Sequence, residues 1–231
     1  GADAYKYESQ QVRLSSETQA TFKKRFGRHH NFDAMVGFSA NKQSAGTTSV
    51  NARGIILDEL KWNNLNGIGS KENYDVNSGH WEILRESVLG RVNYNYRSRY
   101  YLTATMRADG SSNFAANHKW GFFPSAAVKW NIKKEPWMKS AKWLDELSVR
   151  GSSGRTGNDA ISAYRSLQAY DSTTDSYIFD NAQGVSYYPS RLDNPDLTWE
   201  KTDQYSVALE TSMFKNRLKI ELEGYFSNTR D

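Results

Sequence analysis

The chain contains no cysteine. That excludes a disulfide-stapled secreted module, a Cys-based zinc site and a thiol nucleophile. Apolar residues are scarce, at 38% of 231 residues with a mean hydropathy of -0.78. No run approaches the roughly 20 consecutive apolar residues that a transmembrane helix requires. A membrane barrel survives that test, because its strands are only half apolar. Charge of one sign is also not in excess: 30 Lys and Arg face 26 Asp and Glu, a formal net charge of +4. Large rings are what the chain has in quantity, with 7 Trp, 14 Tyr and 10 Phe. That aromatic content beside ordinary charge predicts a folded chain, not a disordered one. Gly1 follows no initiator Met and opens no charged-then-apolar leader, while Ser227 to Asp231 stop inside an alternating pattern. The expectation is a piece of a longer protein.

The dominant period is two. From Val12 to Phe22 the even positions are apolar or small, and Arg13, Ser15, Glu17, Gln19, Thr21 and Lys23 on the odd positions are polar. This is one amphipathic strand. Phe32 to Ala40 repeats the pattern, as do Val88 to Tyr96, Tyr100 to Met106, Phe122 to Ile132, Leu147 to Gly151, Tyr205 to Met213 and Leu218 to Phe226. About eight antiparallel strands are therefore predicted. Tight turns fall at Phe26-Gly27-Arg28, Arg97-Ser98-Arg99 and Lys215-Asn216-Arg217, and long loops at 42–79, 109–119 and 155–198. The connection 134–145 is intermediate, with a short helical turn expected over 137–143.

A soluble sandwich or small barrel also alternates with period two. Two features favour a transmembrane barrel instead. Arg13, Glu17, Lys23, Arg91, Lys129, Glu210, Glu221 and Glu223 place charge across the middle of the polar faces, as a wet lumen would. Aromatics gather at strand ends: Phe22, Phe32, Tyr96, Tyr100, Trp130 and Phe214 beside the short turns, Phe38, Trp120, Phe122 and Phe226 towards the long loops. Such rings prefer the bilayer interface. A soluble or surface-anchored β-rich glycan-binding module is the alternative of a different class.

Four stretches together resemble a known family. They are Arg107-Ala-Asp-Gly-Ser-Ser-Asn-Phe114 with Trp120-Gly-Phe-Phe-Pro-Ser125, Leu147-Ser-Val-Arg-Gly-Ser-Ser-Gly-Arg-Thr-Gly-Asn158, and Asn194-Pro-Asp-Leu-Thr-Trp-Glu-Lys-Thr-Asp-Gln-Tyr205. In order and spacing, with the turn Phe214-Lys-Asn-Arg-Leu218 after them, they are similar to the C-terminal half of the barrel in SusC/RagA-type TonB-linked outer-membrane transporters. The resemblance implies an all-β segment of a large, plugged barrel of the 22-stranded class, with short periplasmic turns and long extracellular loops. It implies a multi-pass protein of the outer membrane of a Bacteroidetes-like bacterium, importing oligosaccharides, peptides or other bulky nutrients. A SusD-like lipoprotein lid and the TonB complex are the implied partners, besides the lipid bilayer. Nothing in residues 1–231 resembles the plug, the TonB box or the closing C-terminal strand, so the whole chain reads as part of one barrel domain.

Candidate ligand contacts follow from composition. The loop 107–120 combines the charge pair Arg107 and Asp109 with the amide Asn113 and the ring of Trp120, a mixture that stacks and orients sugars or peptides. Its competing reading is a turn at Asp109-Gly110 and a girdle ring at Trp120. Arg155 and Asn158 lie in a glycine-rich stretch that serves loop shape first. Tyr164, Tyr170, Tyr177, Tyr187 and Tyr188 supply rigid amphipathic surface for a substrate or a lid.

Other chemistries find no support. His29-His30 in a basic turn suggests neither a metal site nor a nucleic-acid contact, because adjacent strand residues point apart and no acidic partner is fixed by spacing. Gly151-Ser-Ser-Gly154 lacks the G-x-S-x-G spacing of a nucleophile elbow. Glu221 and Glu223 share one face and imitate a glycosidase pair, yet alternating lumen charges beside Lys219 explain them. No enzyme, cofactor or metal is predicted.

Overall fold

The computed structural model describes residues 2–55, 63, 65, 73–179 and 182–230, with side chains for all but Ala2 and residues 174–183. Ten strands follow in chain order: β1 (Ala2–Phe26), β2 (His30–Ile55), β3 (Tyr74–Tyr96), β4 (Tyr100–Ser111) and β5 (Trp120–Asn131), then β6 (Leu144–Asn158), β7 (Ala169–Phe179), β8 (Ala182–Arg191), β9 (Glu200–Met213) and β10 (Leu218–Arg230). Eight form one sheet in the order β1-β2-β3-β4-β5-β6-β9-β10, and β7 with β8 forms a separate two-stranded sheet. All eight alternating segments are thus strands. Residues 1–15 and 41–84 form one compact unit, and residues 16–40 and 85–231 the other.

The strands outrun the alternation. β1, β2 and β3 hold 25, 26 and 23 residues, more than twice the roughly 9–11 that a tilted strand needs to cross a bilayer. The expected loop 42–79 is therefore strand as far as Ile55 and again from Tyr74, and most of the remainder lies outside the described residues. The expected loop 155–198 is corrected too: β6 continues to Asn158, and the β7–β8 hairpin occupies its middle. The helical turn predicted at 137–143 appears earlier, as single 3-10 turns at Ile132–Lys134 and Pro136–Met138, the second opening on a proline as a first helical position allows.

Register sorts the two faces. Opposed residues in an antiparallel pair share a face, and Tyr96, Tyr100, Trp130, Val149, Leu209 and Leu222 form one continuous row across six strands. One residue along, Asn95, Tyr101, Lys129, Arg150, Ala208 and Glu223 form the next. A single-residue slip would exchange the two faces.

The apolar side is bare. Leu102, Val128, Val207 and Leu222 are 44%, 56%, 63% and 63% exposed. Burying each such side chain is worth roughly 1.5–3 kcal/mol, a gain that a sandwich collects by laying a second sheet over this face. Among the described residues no layer covers it. Buried apolar residues form two small clusters instead, Ala4, Ala52 and Ile55 in the first unit and Phe114, Phe123 and Trp199 in the second.

Aromatic rings close the apolar side beside the short turns. Phe22 and Phe26 each meet Phe32 edge-on at 6.5 Å, Tyr96 stacks on Tyr100 and Tyr100 on Trp130 at 6.4 Å, and Trp143 lies 6.4 Å from Phe214. His30 joins the row, hydrogen-bonded through Nδ1 to the Tyr94 hydroxyl at 2.6 Å.

Candidate functional site

Alternation delivers charges to the polar face, and register decides who meets whom. Lys129 on β5 donates to the Glu210 carboxylate on β9 and lies 3.6 Å from Glu146. Ser148 donates to the same Glu210 oxygen at 3.2 Å. Arg150 stands 3.7, 3.5 and 3.7 Å from Glu210, Glu221 and Glu223. Four carboxylates share two cations, so this stretch of the face is net acidic. Arg150, and not Lys219, is the partner that accounts for the Glu221–Glu223 pair.

Further along the same face, Asn93 donates to Asp33 at 3.1 Å and accepts from the Thr103 hydroxyl at 2.8 Å. Arg107 Nε reaches both oxygens of Asp109 at 2.8 Å while its Nη2 donates to Ser87 at 3.2 Å. Beside this group is a cavity of about 370 Å³ lined by Glu17, Gln19, Met35, Ser39, Leu89 and Arg107. Charged and amide groups over a partly apolar floor hold a polar ligand by its edges and pack its flat faces.

At the long-loop end the chain builds a rigid platform. The Asp159 carboxylate accepts from Arg85 Nε at 2.6 Å and from Ser111 Oγ at 2.8 Å. Asn113, 1% exposed, donates through Nδ2 to the carbonyls of Asp159 and Ile161 at 3.2 and 3.1 Å. Beneath them Phe114 and Phe123 pack on Trp199 at 5.1 and 5.3 Å, and Trp199 Nε1 donates to the Lys119 carbonyl at 3.1 Å. A Cβ at Gly121 or Gly157 would enter the Phe123 ring, so the glycines there admit that ring.

The candidates of the sequence do not converge on one place. Arg107 and Asp109 come together on the polar face, beside the cavity. Asn113 is inside the platform, and Asn158 shapes its edge, accepting the Ala160 N–H at 2.9 Å and standing 3.4 Å from Glu200. Trp120 lies half-exposed across Gly110, on the face of Phe122. Arg155 sits on the side of Tyr205, donating to both oxygens of Asp203 at 2.7 and 3.0 Å, with Arg230 on the same carboxylate at 2.6 Å. Tyr164 has a φ of 63° and its carbonyl accepts from Arg191 at 2.8 Å. Tyr170, Tyr187 and Tyr188 are exposed on the β7–β8 hairpin, and the Tyr177 side chain is outside the described residues. Arg150 was legible from the parity of β6; Arg85 and Asp159 carry no sequence signal, being 74 residues apart. No group of three metal-ligating side chains occurs among the described residues.

A single sheet with one bare apolar face, an aromatic border and an ion-paired polar face is the wall of a transmembrane β-barrel. The chain belongs to the TonB dependent receptor-like, beta-barrel family, whose profile matches residues 1–231. It is 35% identical over 216 residues to TonB-dependent receptor P3 of Formosa agariphila, covering 94% of this chain and 21% of that protein. TonB-dependent receptor SusC of Bacteroides thetaiotaomicron is 36% identical over 151 residues, 63% of this chain and 15% of that one. The solved RagAB peptide transporter superimposes with a TM-score of 0.88 at 24% identity, over 97% of this chain and 24% of its own. The same RagAB peptide importer in its open-open state gives 0.87 at 25% identity, over 99% and 24%. The chain therefore spans about a fifth of the length of the curated relatives it matches, and its resemblance to the SusC/RagA type extends along nearly its whole length.

Proposed function

We propose that this chain is a wall segment of an outer-membrane TonB-dependent importer of bulky nutrients, oligosaccharides or peptides. The observation that carries the reading is the pairing of faces within one sheet: uncovered apolar rows on one side and the Lys129–Glu210–Arg150 network on the other. The bare face meets hydrocarbon, and the charged face meets water and cargo. The short turns then lie in the periplasm and the long loops outside. The role is passage and not catalysis, in keeping with relatives named as receptors.

Cargo enters past the Arg107–Asp109 pair, with the tyrosines of the β7–β8 hairpin offering surface to a cargo or to a SusD-like lipoprotein lid. Coupling to the TonB complex belongs to a plug, and no role in it is assigned to these residues. The test uses the full-length protein with its own leader. It should fractionate with the outer membrane and be required, together with TonB, for growth on oligosaccharide or peptide as sole carbon source. Partition into the aqueous phase would leave the glycan-binding module as the better account.

A further inference from the structure

At the long-loop end three basic residues stand on the apolar side of the wall, the side that cargo does not meet. Register puts them there. Arg155 on β6 opposes Asp203 on β9, and Arg230 on β10 opposes Lys201, all on the face of Tyr205 and Phe226. The Asp203 carboxylate takes Arg155 through Nε at 2.7 Å and Nη2 at 3.0 Å, and Arg230 through Nη2 at 2.6 Å. Its side chain is 12% exposed, against 38% for Arg155 and 64% for Arg230, so the guanidinium groups cover the carboxylate and keep an open side. Arg155 Nη1 and Arg230 Nε and Nη1 take no part in these contacts. Lys201 has no acidic partner among the described residues, and three cations thus share one carboxylate. The group keeps a net positive charge on a face that is otherwise apolar.

Depth decides what meets that charge. Counted from the rungs beside the short turns, Trp130 to Phe122 on β5, Met213 to Tyr205 on β9 and Leu218 to Phe226 on β10 are each nine residues. A tilted strand of roughly 9–11 residues crosses a bilayer. All three runs end in an exposed ring, and such rings mark where hydrocarbon gives way to headgroups. Asp203 is one same-face position beyond Tyr205, and Arg230 is two beyond Phe226. Each such position adds about 7 Å along the strand. The cluster therefore stands past the rings, on the side that meets lipid. Charge on that side is costly at mid-depth and tolerated near the interface. Guanidinium forks match phosphate oxygens in pairs, and phosphate is the anion that headgroups supply at this depth.

We propose that Arg155 and Arg230, held on Asp203 and joined by Lys201, bind the phosphate of an anionic lipid headgroup in the leaflet facing the long loops. The proposal rests on the barrel reading above, and it turns Arg155 from cargo to membrane. Its test takes the full-length transporter in mild detergent and follows binding by native mass spectrometry, with monophosphoryl lipid A, the same lipid A without its phosphate, and inorganic phosphate as probes. The phosphorylated form should be retained at least fivefold better than the dephosphorylated one, R155Q/R230Q should abolish that preference, and R155K/R230K should keep most of it. Equal preference in R155Q/R230Q and the unmodified protein overturns the site. Displacement of the lipid by an equal concentration of inorganic phosphate overturns the lipid source. Should R155Q/R230Q fail to fold, a photoactivatable lipid A on the unmodified protein decides: crosslinks within 153–157, 201–205 and 226–230 support the site, and crosslinks only elsewhere overturn it. Failure of the barrel reading itself is separate, since the protein would then be missing from the membrane fraction before any lipid is added.

Discussion

The Tyr100 hydroxyl donates to Glu135 Oε1 at 2.6 Å, and Trp130 Nε1 reaches the same oxygen at 3.1 Å. Glu135 is 6% exposed and takes Arg99 on its other oxygen. A carboxylate in the β5–β6 connection thereby anchors the stacked rings of two strands to the turn beyond them. The Tyr100 and Trp130 hydrogen bonds, with Arg99 adding charge, hold the Glu135 carboxyl below its ordinary value.

A group with a lowered folded-state pKa stabilises above its unfolded value and loses that contribution as the pH falls through the folded one. Glu135 should therefore support the fold fully at neutral pH and progressively less below the ordinary glutamate range, near 4.5. E135Q should melt lower than the unmodified protein at pH 7 in detergent, with the gap narrowing towards pH 3. A gap that does not change with pH would show that the charge is irrelevant.

Gly157→Ala places a methyl group where the Phe123 ring lies. Overpacking of this kind costs about 1–3 kcal/mol. The loss should be local: proteolysis at 112–119 and 159–168 accelerates, while the sheet keeps its circular dichroism. Phe123→Ala in the same chain should relieve part of the clash, and the double variant should be less labile than the sum of the singles.

Arg107→Ala should leave the melting midpoint nearly unchanged, because a half-exposed pair such as Arg107–Asp109 is worth about 0–1 kcal/mol. Uptake of cargo by the full transporter should fall tenfold or more. Unimpaired uptake would remove Arg107 from the ligand path.

Arg150→Ala leaves Glu210, Glu221 and Glu223 facing one another with Lys129 as the remaining cation of the group. With Arg150 39% exposed, the expected cost is about 1 kcal/mol after allowance for solvent screening. It should shrink at 1 M salt, where the Debye length is about 3 Å. A cost that ignores salt would assign Arg150 a packing role instead.

Alternation is enough to place the eight wall strands because each has one face in a different solvent from the other, and that difference is written residue by residue. The β7–β8 hairpin has no such contrast: Tyr170, Val185, Tyr187 and Tyr188 are all exposed, so no period marks it and the segment reads as loop. The Arg107–Asp109 pair is legible because positions two apart on a strand share a face. Arg155 is not, since its neighbour Asp203 is fixed by the β6–β9 register and composition alone says nothing of register. Asp159 meets Arg85 through the folding of loops around Phe114, Phe123 and Trp199, a tertiary event with no local trace.

β6 pairs with β9 without interruption from Asn158↔Glu200 down to Glu146↔Ser212, so the wall is complete before the intervening hairpin is counted. Doubling the length of such a segment costs only about 0.6 kcal/mol of closure entropy. Between Ile161 and Leu197, which pack against the platform, the segment can therefore lengthen while the rungs beneath it stay as they are. The tip of the segment can be rewritten, and the β6–β9 ladder beneath it keeps its register.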